Sequence, residues 1–153
     1  GFGFSSDAYD LVAPHPDGHG AVRAMEGALS MAGLKADEIG LVNCHATATT
    51  VGDLAEARAI HRVFGARAAE LPVQCTKSLM GHLIGAAGAV EAIACILALE
   101  KGVIHPTINQ FNRDPGIGLN IVTEATERRG LRHVLSNGFA FCGQNACLVF
   151  SQV

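Results

Sequence analysis

Two histidines stand where an imidazole could do chemistry. His45 directly follows the apolar run 39–44, and His82 lies in Lys77-Ser-Leu-Met-Gly-His-Leu-Ile-Gly85, just ahead of a helix start made of small residues. The positive end of a helix disfavours an imidazolium, so a neutral, donating ring is expected at His82. Two neutral imidazoles aimed at one point would stabilise an enolate or a thioester oxyanion. Lys77 sits five residues before His82 in an apolar setting. A buried lysine needs a partner, and Glu91 on the following helix is the natural one. Taken singly, each of these residues also has a plain structural reading. A lone histidine can be a satisfied core residue, and the Lys77–Glu91 pair can be purely architectural. Phe139 and Phe141 alternate like core residues of a strand, and Thr47, Thr49 and Thr50 could simply satisfy loop backbone.

A zinc site built from His45, His61 and His82 is a weak alternative. No histidine pair among them has the H-x₃₋₅-H spacing, and no cysteine pattern accompanies them. No metal is expected. His15, His19, His61, His105 and His133 fall in turns or on solvent faces and are read as having no function. The five cysteines (Cys44, Cys75, Cys95, Cys142 and Cys147) include no CxxC pair. An odd count scattered through apolar segments fits reduced thiols and a cytoplasmic compartment, with a mitochondrion or plastid open for a eukaryotic source.

The elements that must position these residues follow from periodicity. Val22, Met25 and Leu29 mark one face of a helix over about 20–31, with Gly33 as its stop. Residues 39–44 form an unalternating strand of the kind buried on both faces. Asp53 is expected to N-cap the next helix, with Glu56 completing a D-x-x-E box, and Ala57, Ile60, Val63 and Phe64 pointing inward. A strand at 72–76 leads through the Lys77–Gly85 loop into a third helix over about 86–100, with Val90, Ile93, Ala94 and Leu97 inward. Strands are expected at 120–122, 134–137 and 146–150. The order β-α-β-α-β-α-β-β-β implies a layered α/β arrangement with a central sheet. In such sheets ligands bind beyond the C-terminal strand ends, where His45 lies and where the 77–85 loop begins.

Composition narrows the classes. Of 153 residues, 49% are hydrophobic and 16% charged, enough for a real core and a sign of more buried surface than a free monomer needs. The net charge of −3 gives no support to nucleic-acid binding. No run of about 20 apolar residues is present, so no membrane span is expected. The first residue is Gly1, and the segment around it looks like the end of a strand, so the chain is expected to begin inside a longer protein.

Three segments carry a family resemblance. Asn43-Cys-His-Ala-Thr-Ala-Thr-Thr-Val-Gly-Asp53 resembles the H-G-T-G-T segment of β-ketoacyl-acyl-carrier-protein synthases. Residues 76–89, Thr-Lys-Ser-Leu-Met-Gly-His-Leu-Ile-Gly-Ala-Ala-Gly-Ala, resemble their T-K-S-x-x-G-H-x-x-G-A-A-G-A segment. Asn137-Gly-Phe-Ala-Phe-Cys-Gly-Gln-Asn145 resembles their N-S-F-G-F-G-G-T-N loop. The resemblance spans nearly the whole chain. It implies the C-terminal half of a thiolase-like fold, layered α/β with a central mixed sheet, as one domain over 1–153. It further implies that His45 and His82 pair with a cysteine nucleophile, that Lys77 stands beside the site and that Glu91 pairs with Lys77. Thr47 and Thr49 would hold the pantetheine arm of acyl carrier protein, and Phe139 and Phe141 would line and gate the acyl pocket. The implied reaction is decarboxylative Claisen condensation in fatty-acid or polyketide synthesis, with no cofactor beyond the carrier's phosphopantetheine. The implied partners are acyl carrier protein, the N-terminal half of the synthase and a second copy in a homodimer.

Several positions depart from that pattern. The cysteine motif of the nucleophile is absent, so the chain alone is expected to be inactive. Ala46 stands where the family usually has glycine, and Ala140, Cys142 and Gln144 enlarge the last loop. A thiolase is the second reading, but Gly81-His-Leu83 lacks the G-H-P proline. A chain-length-factor-like partner subunit is the third, and the retained histidines and lysine argue against it.

Overall fold

The computed structural model describes residues 1–128 and 130–153. A six-stranded mixed sheet forms the centre. It comprises β1 (Phe2–Ser6), β2 (Leu41–Asn43), β3 (Pro72–Gln74), β5 (Asn120–Ile121), β7 (His133–Ala140) and β8 (Gln144–Ser151), in the order β1-β8-β7-β2-β3-β5. β7, β2, β3 and β5 run parallel, while β8 and β1 add antiparallel at one edge. β4 (Val103–Ile104) and β6 (Thr126–Glu127) pair separately.

Alternation along the strands sends neighbouring side chains to opposite faces. Val42 and Leu135 face one layer with Met25 and Leu29 of α1 (His19–Ala32) and Ile60 and Phe64 of α2 (Thr50–Phe64). Leu41 and Val134 face the other, against Cys95, Ala98 and Leu99 of α4 (Ala87–Lys101). The sheet is therefore covered on both sides, as its parallel strands require. β1 lies so close to α1 that a Cβ on Gly3 would collide with the carbonyl of Ala24. The expected inward stripe of α1, Val22, Met25 and Leu29, is buried.

Three expectations need correction. α2 starts at Thr50, with Thr49 as its N-cap, four residues earlier than an Asp53 cap would give. Asp53 lies inside the first turn and makes no cap, and burial raises the pKa of its carboxyl. Glu56 is no part of a capping box: it is buried on the inward face. Second, α4 is turned from the expected face. Its buried line is Ala87, Glu91, Cys95, Ala98 and Leu99, while Ile93 is 56% and Leu97 47% exposed. The helix is apolar all round, so periodicity does not select a face, and the Glu91–Lys77 pairing does. Third, Lys77–Met80, expected as loop, makes one helical turn, α3. Gly81 ends it at φ 76° with its N–H on the Lys77 carbonyl at 2.8 Å.

No helix among the described residues is long and apolar enough to cross a membrane.

Candidate active site

β2 delivers His45 to the C-terminal edge of the sheet, at the point where α2 carries the chain to β3 on one side while β7 pairs on the other. A crevice opens beyond the strands at such a reversal of strand order. His82 reaches the same place from the segment between α3 and α4. The two imidazoles meet edge to face, with centroids 5.5 Å apart and planes at 87°. The Phe139 ring packs 5.6 Å from His45 on the other side. These three side chains and Glu91 line a cleft of about 380 Å³ with Ile84, Gly138 and Asn145.

The charge state of His45 is set by its surroundings. Burial lowers the pKa of His45 to about 3, and the Lys77 and His82 charges push it the same way. His45 is therefore neutral near pH 7. His82 Nδ1 accepts the backbone N–H of Ile84 at 3.2 Å. In the neutral ring that leaves Nε2 as the N–H donor.

Lys77 and Glu91, both buried, form an ion pair and hydrogen bond directly behind the histidines. Burial raises the Glu91 pKa, and the bond to the Lys77 ammonium opposes that rise. The largely buried ammonium fixes a positive charge near His45.

Sequence reasoning missed the anchor beneath His45. Glu56 Oε1 accepts the His45 backbone N–H at 2.9 Å, and Oε2 accepts that of Ala46 at 2.8 Å. Asn137 of β7 donates to Oε1 at 2.9 Å. One buried carboxylate thus clamps the end of β2 to the middle of β7. Burial raises its pKa, while these hydrogen bonds lower it. The available signal was a glutamate placed in the inward stripe of α2, between Ala55 and Ala57. His105 is also not the solvent-face residue that its turn suggested. It is half-buried, with Nε2 3.0 Å from Thr76 Oγ1. Thr76 also bonds Asn43 Oδ1 at 2.8 Å.

Not every expected residue joins the cleft. Phe139 lines it, whereas Phe141 is 71% exposed beyond it. Thr47 and Thr49 face each other, with hydroxyls 3.2 Å apart, and Thr49 opens onto a separate cavity of about 300 Å³ behind the loop. His61, the third residue of the zinc alternative, instead bonds the Ile117 carbonyl at 3.1 Å. Cys44, Cys75, Cys95 and Cys147 are buried, and burial raises each thiol pKa, to about 12 for Cys95. None of these four has the low pKa of a reactive thiol.

Comparison with known proteins decides the family. Residues 1–111 match the model "Beta-ketoacyl synthase, C-terminal domain". The chain belongs to the β-ketoacyl synthases. It is 43% identical over 152 residues to the chloroplastic 3-oxoacyl-[acyl-carrier-protein] synthase II of Arabidopsis thaliana, covering 99% of this chain and 28% of that protein. It is 42% identical over 150 residues to 3-oxoacyl-[acyl-carrier-protein] synthase 2 of Staphylococcus aureus, covering 98% of this chain and 37% of that one. Among solved structures, the ishigamide ketosynthase/chain length factor superposes with a TM-score of 0.94 at 40% identity, over 100% of this chain and 37% of that chain. A β-ketoacyl synthase from Burkholderia phymatum gives 0.91 at 39% identity, over 100% of this chain and 36% of that chain. The fold is therefore thiolase-like, as expected. The chain spans about a third of the length of these synthases.

Proposed function

We propose that this chain, as one domain over residues 1–153, is the histidine-bearing half of a condensing enzyme. That enzyme joins acyl and malonyl thioesters by decarboxylative Claisen condensation. The observation that carries the reading is the facing pair of His45 and His82, one of them held neutral by burial, in a cleft backed by the Lys77–Glu91 pair.

In this reading a cysteine from residues outside the chain takes the acyl group as a thioester. A malonyl thioester then enters the cleft. Its terminal carboxylate leaves as carbon dioxide, and the electron pair of the broken C–C bond moves into the thioester carbonyl, making an enolate. The imidazole N–H groups of His45 and His82 donate to that enolate oxygen. Neutral rings give donors without competing for a proton, and the partly buried cleft strengthens each bond. The enolate carbon attacks the acyl carbonyl, the new C–C bond forms and the cysteine thiolate leaves. Lys77 acts at a distance, since its buried positive charge adds to the burial that keeps His45 unprotonated. Thr47 and Thr49 hold the pantetheine arm, and Phe139 and Phe141 border the acyl chain.

The substrates come by analogy with relatives. Two are named as acyl-carrier-protein synthases, and one solved ketosynthase is bound to its acyl-carrier protein, with a TM-score of 0.97 at 28% identity. Acyl carrier protein is accordingly the proposed partner, with phosphopantetheine on the carrier and no resident cofactor. The exposed apolar face of α4, with Ile93, Ile96 and Leu97, suits the N-terminal half of the synthase. A homodimer in the cytoplasm or an organelle completes the reading.

The test is malonyl-carrier decarboxylation by this chain joined to an N-terminal synthase half that carries the cysteine. His82→Ala should lower the rate by about 10²–10³. An unchanged rate would discard the assignment. A wild-type protein that binds carrier but never releases carbon dioxide would instead favour a non-catalytic partner subunit.

A further inference from the structure

We propose that His15, Asp17 and His19 form a binding site for a divalent transition cation of the zinc type. The proposal is independent of the condensing reaction. His15 and Asp17 lie on the segment between β1 and α1, and His19 opens α1, in His15-Pro-Asp-Gly-His19. Each offers one ligand atom, and these atoms lie within 4.8 Å of one another. His19 Nε2 is 3.7 Å from Asp17 Oδ2, and the two imidazole centroids are 4.8 Å apart. Tetrahedral zinc, with bonds near 2.1 Å, places ligand atoms roughly 3.4 Å apart, so a small closure completes the set. Asp17 and His19 are exposed, which leaves room for that closure, for entry of the ion and for water as a further ligand.

The donor types select the metal. Two imidazole nitrogens and one carboxylate oxygen suit zinc, cobalt, nickel or copper, whereas magnesium and calcium prefer oxygen alone. The scaffold around the ligands is already fixed. Proline flanks His15 on both sides, which limits the backbone. The His15 backbone N–H donates to Asp7 Oδ2 at 2.8 Å, and Arg58 donates to the Pro16 carbonyl at 2.8 Å. Tyr9 packs against the His15 ring, with centroids 4.9 Å apart.

Two donors oppose binding: the Asp17 backbone N–H donates to His15 Nδ1 at 3.2 Å, a bond that must open for either nitrogen of that ring to ligate, and an arginine faces the other ring. Arg62 of α2 donates to His19 Nδ1 at 3.2 Å. Ligation through Nε2 requires the proton on Nδ1, so the guanidinium must turn away and a positive charge must tolerate another nearby. Arg62 therefore weakens the site, and its removal tightens it.

The experiment titrates the chelator-stripped full chain with Zn²⁺ by calorimetry and with Co²⁺ by absorption. The expected result is one cation per chain. Affinity should fall about tenfold or more in His15→Ala and in His19→Ala, fall also in the milder Asp17→Asn, and rise in Arg62→Gln. The cobalt spectrum should lack a thiolate charge-transfer band. Circular dichroism confirms that each variant is folded. Failure of wild type to bind either ion, or affinity unchanged from wild type in all three ligand variants, overturns the site. So does a charge-transfer band lost in Cys142→Ser, or binding lost in His45→Ala instead.

Discussion

Glu56 holds the backbone N–H of His45 at 2.9 Å from the far side of the loop. The catalytic candidate is thus placed by a carboxylate on α2, together with the strand that carries it. The same carboxylate accepts from Ala46 and Asn137, so three donors converge on one buried acid.

Removing that acid should therefore be severe. Each buried donor left unpaired costs about 1–3 kcal/mol. Glu56→Ala is expected to cost at least about 3 kcal/mol in urea denaturation, and Glu56→Gln less, because one carbonyl oxygen still accepts. An alanine variant within about 0.5 kcal/mol of wild type would show that the clamp does not anchor the loop.

The Lys77–Glu91 pair is buried on both sides, with side-chain exposures of 6% and 3%. Taking away one partner strands a charge in the interior, and Glu91→Ala or Lys77→Met should cost about 3–5 kcal/mol. The double variant Lys77→Met, Glu91→Leu should recover much of that loss, since no charge remains to be stranded. Additive losses in the double-mutant cycle would contradict the pairing.

Acid should act on the fold through His45. Its pKa is about 3 in the folded protein and near 6.5 in the unfolded chain. Between those values the unfolded chain binds more protons, so the His45 contribution to stability falls as pH drops from about 6.5 to about 3. Glu56 and Glu91, both raised, contribute in the opposite sense above their unfolded values. Comparison with His45→Gln isolates the histidine: stability of wild type relative to the variant should decline on acidification through that window. A constant difference between the two from pH 7 to pH 4 would show that His45 is not held neutral.

The loop after His45 contains two alanines at positive φ, Ala46 at 29° and Ala48 at 60°. A left-handed conformation costs a residue with a Cβ about 1–2 kcal/mol, and glycine's extra freedom in the unfolded chain returns about 0.5–1 kcal/mol of that. Ala48→Gly is expected to stabilise the protein by up to about 1 kcal/mol, read as a shift in the urea midpoint at constant m. A clear loss would mean that the loop uses the methyl group for packing.

The amino-acid order alone determined the layered α/β class, the inward face of α1 and the placement of His45 at a strand end. It also marked the family through three ordered segments. Those features are local: periodicity, turn residues and motif spacing are written along the chain. It did not determine which face of α4 turns inward, because Ile93, Leu97, Cys95 and Leu99 are all apolar and a helix apolar on every side has no preferred orientation. Tertiary structure chose the face by burying Glu91 against Lys77. It likewise decided that Glu56 serves His45 and Asn137 rather than a helix cap, and that His15 and His19 share one corner. Such pairings join groups brought together only when sheet and helices pack, so their partners carry no fixed spacing for a sequence to display.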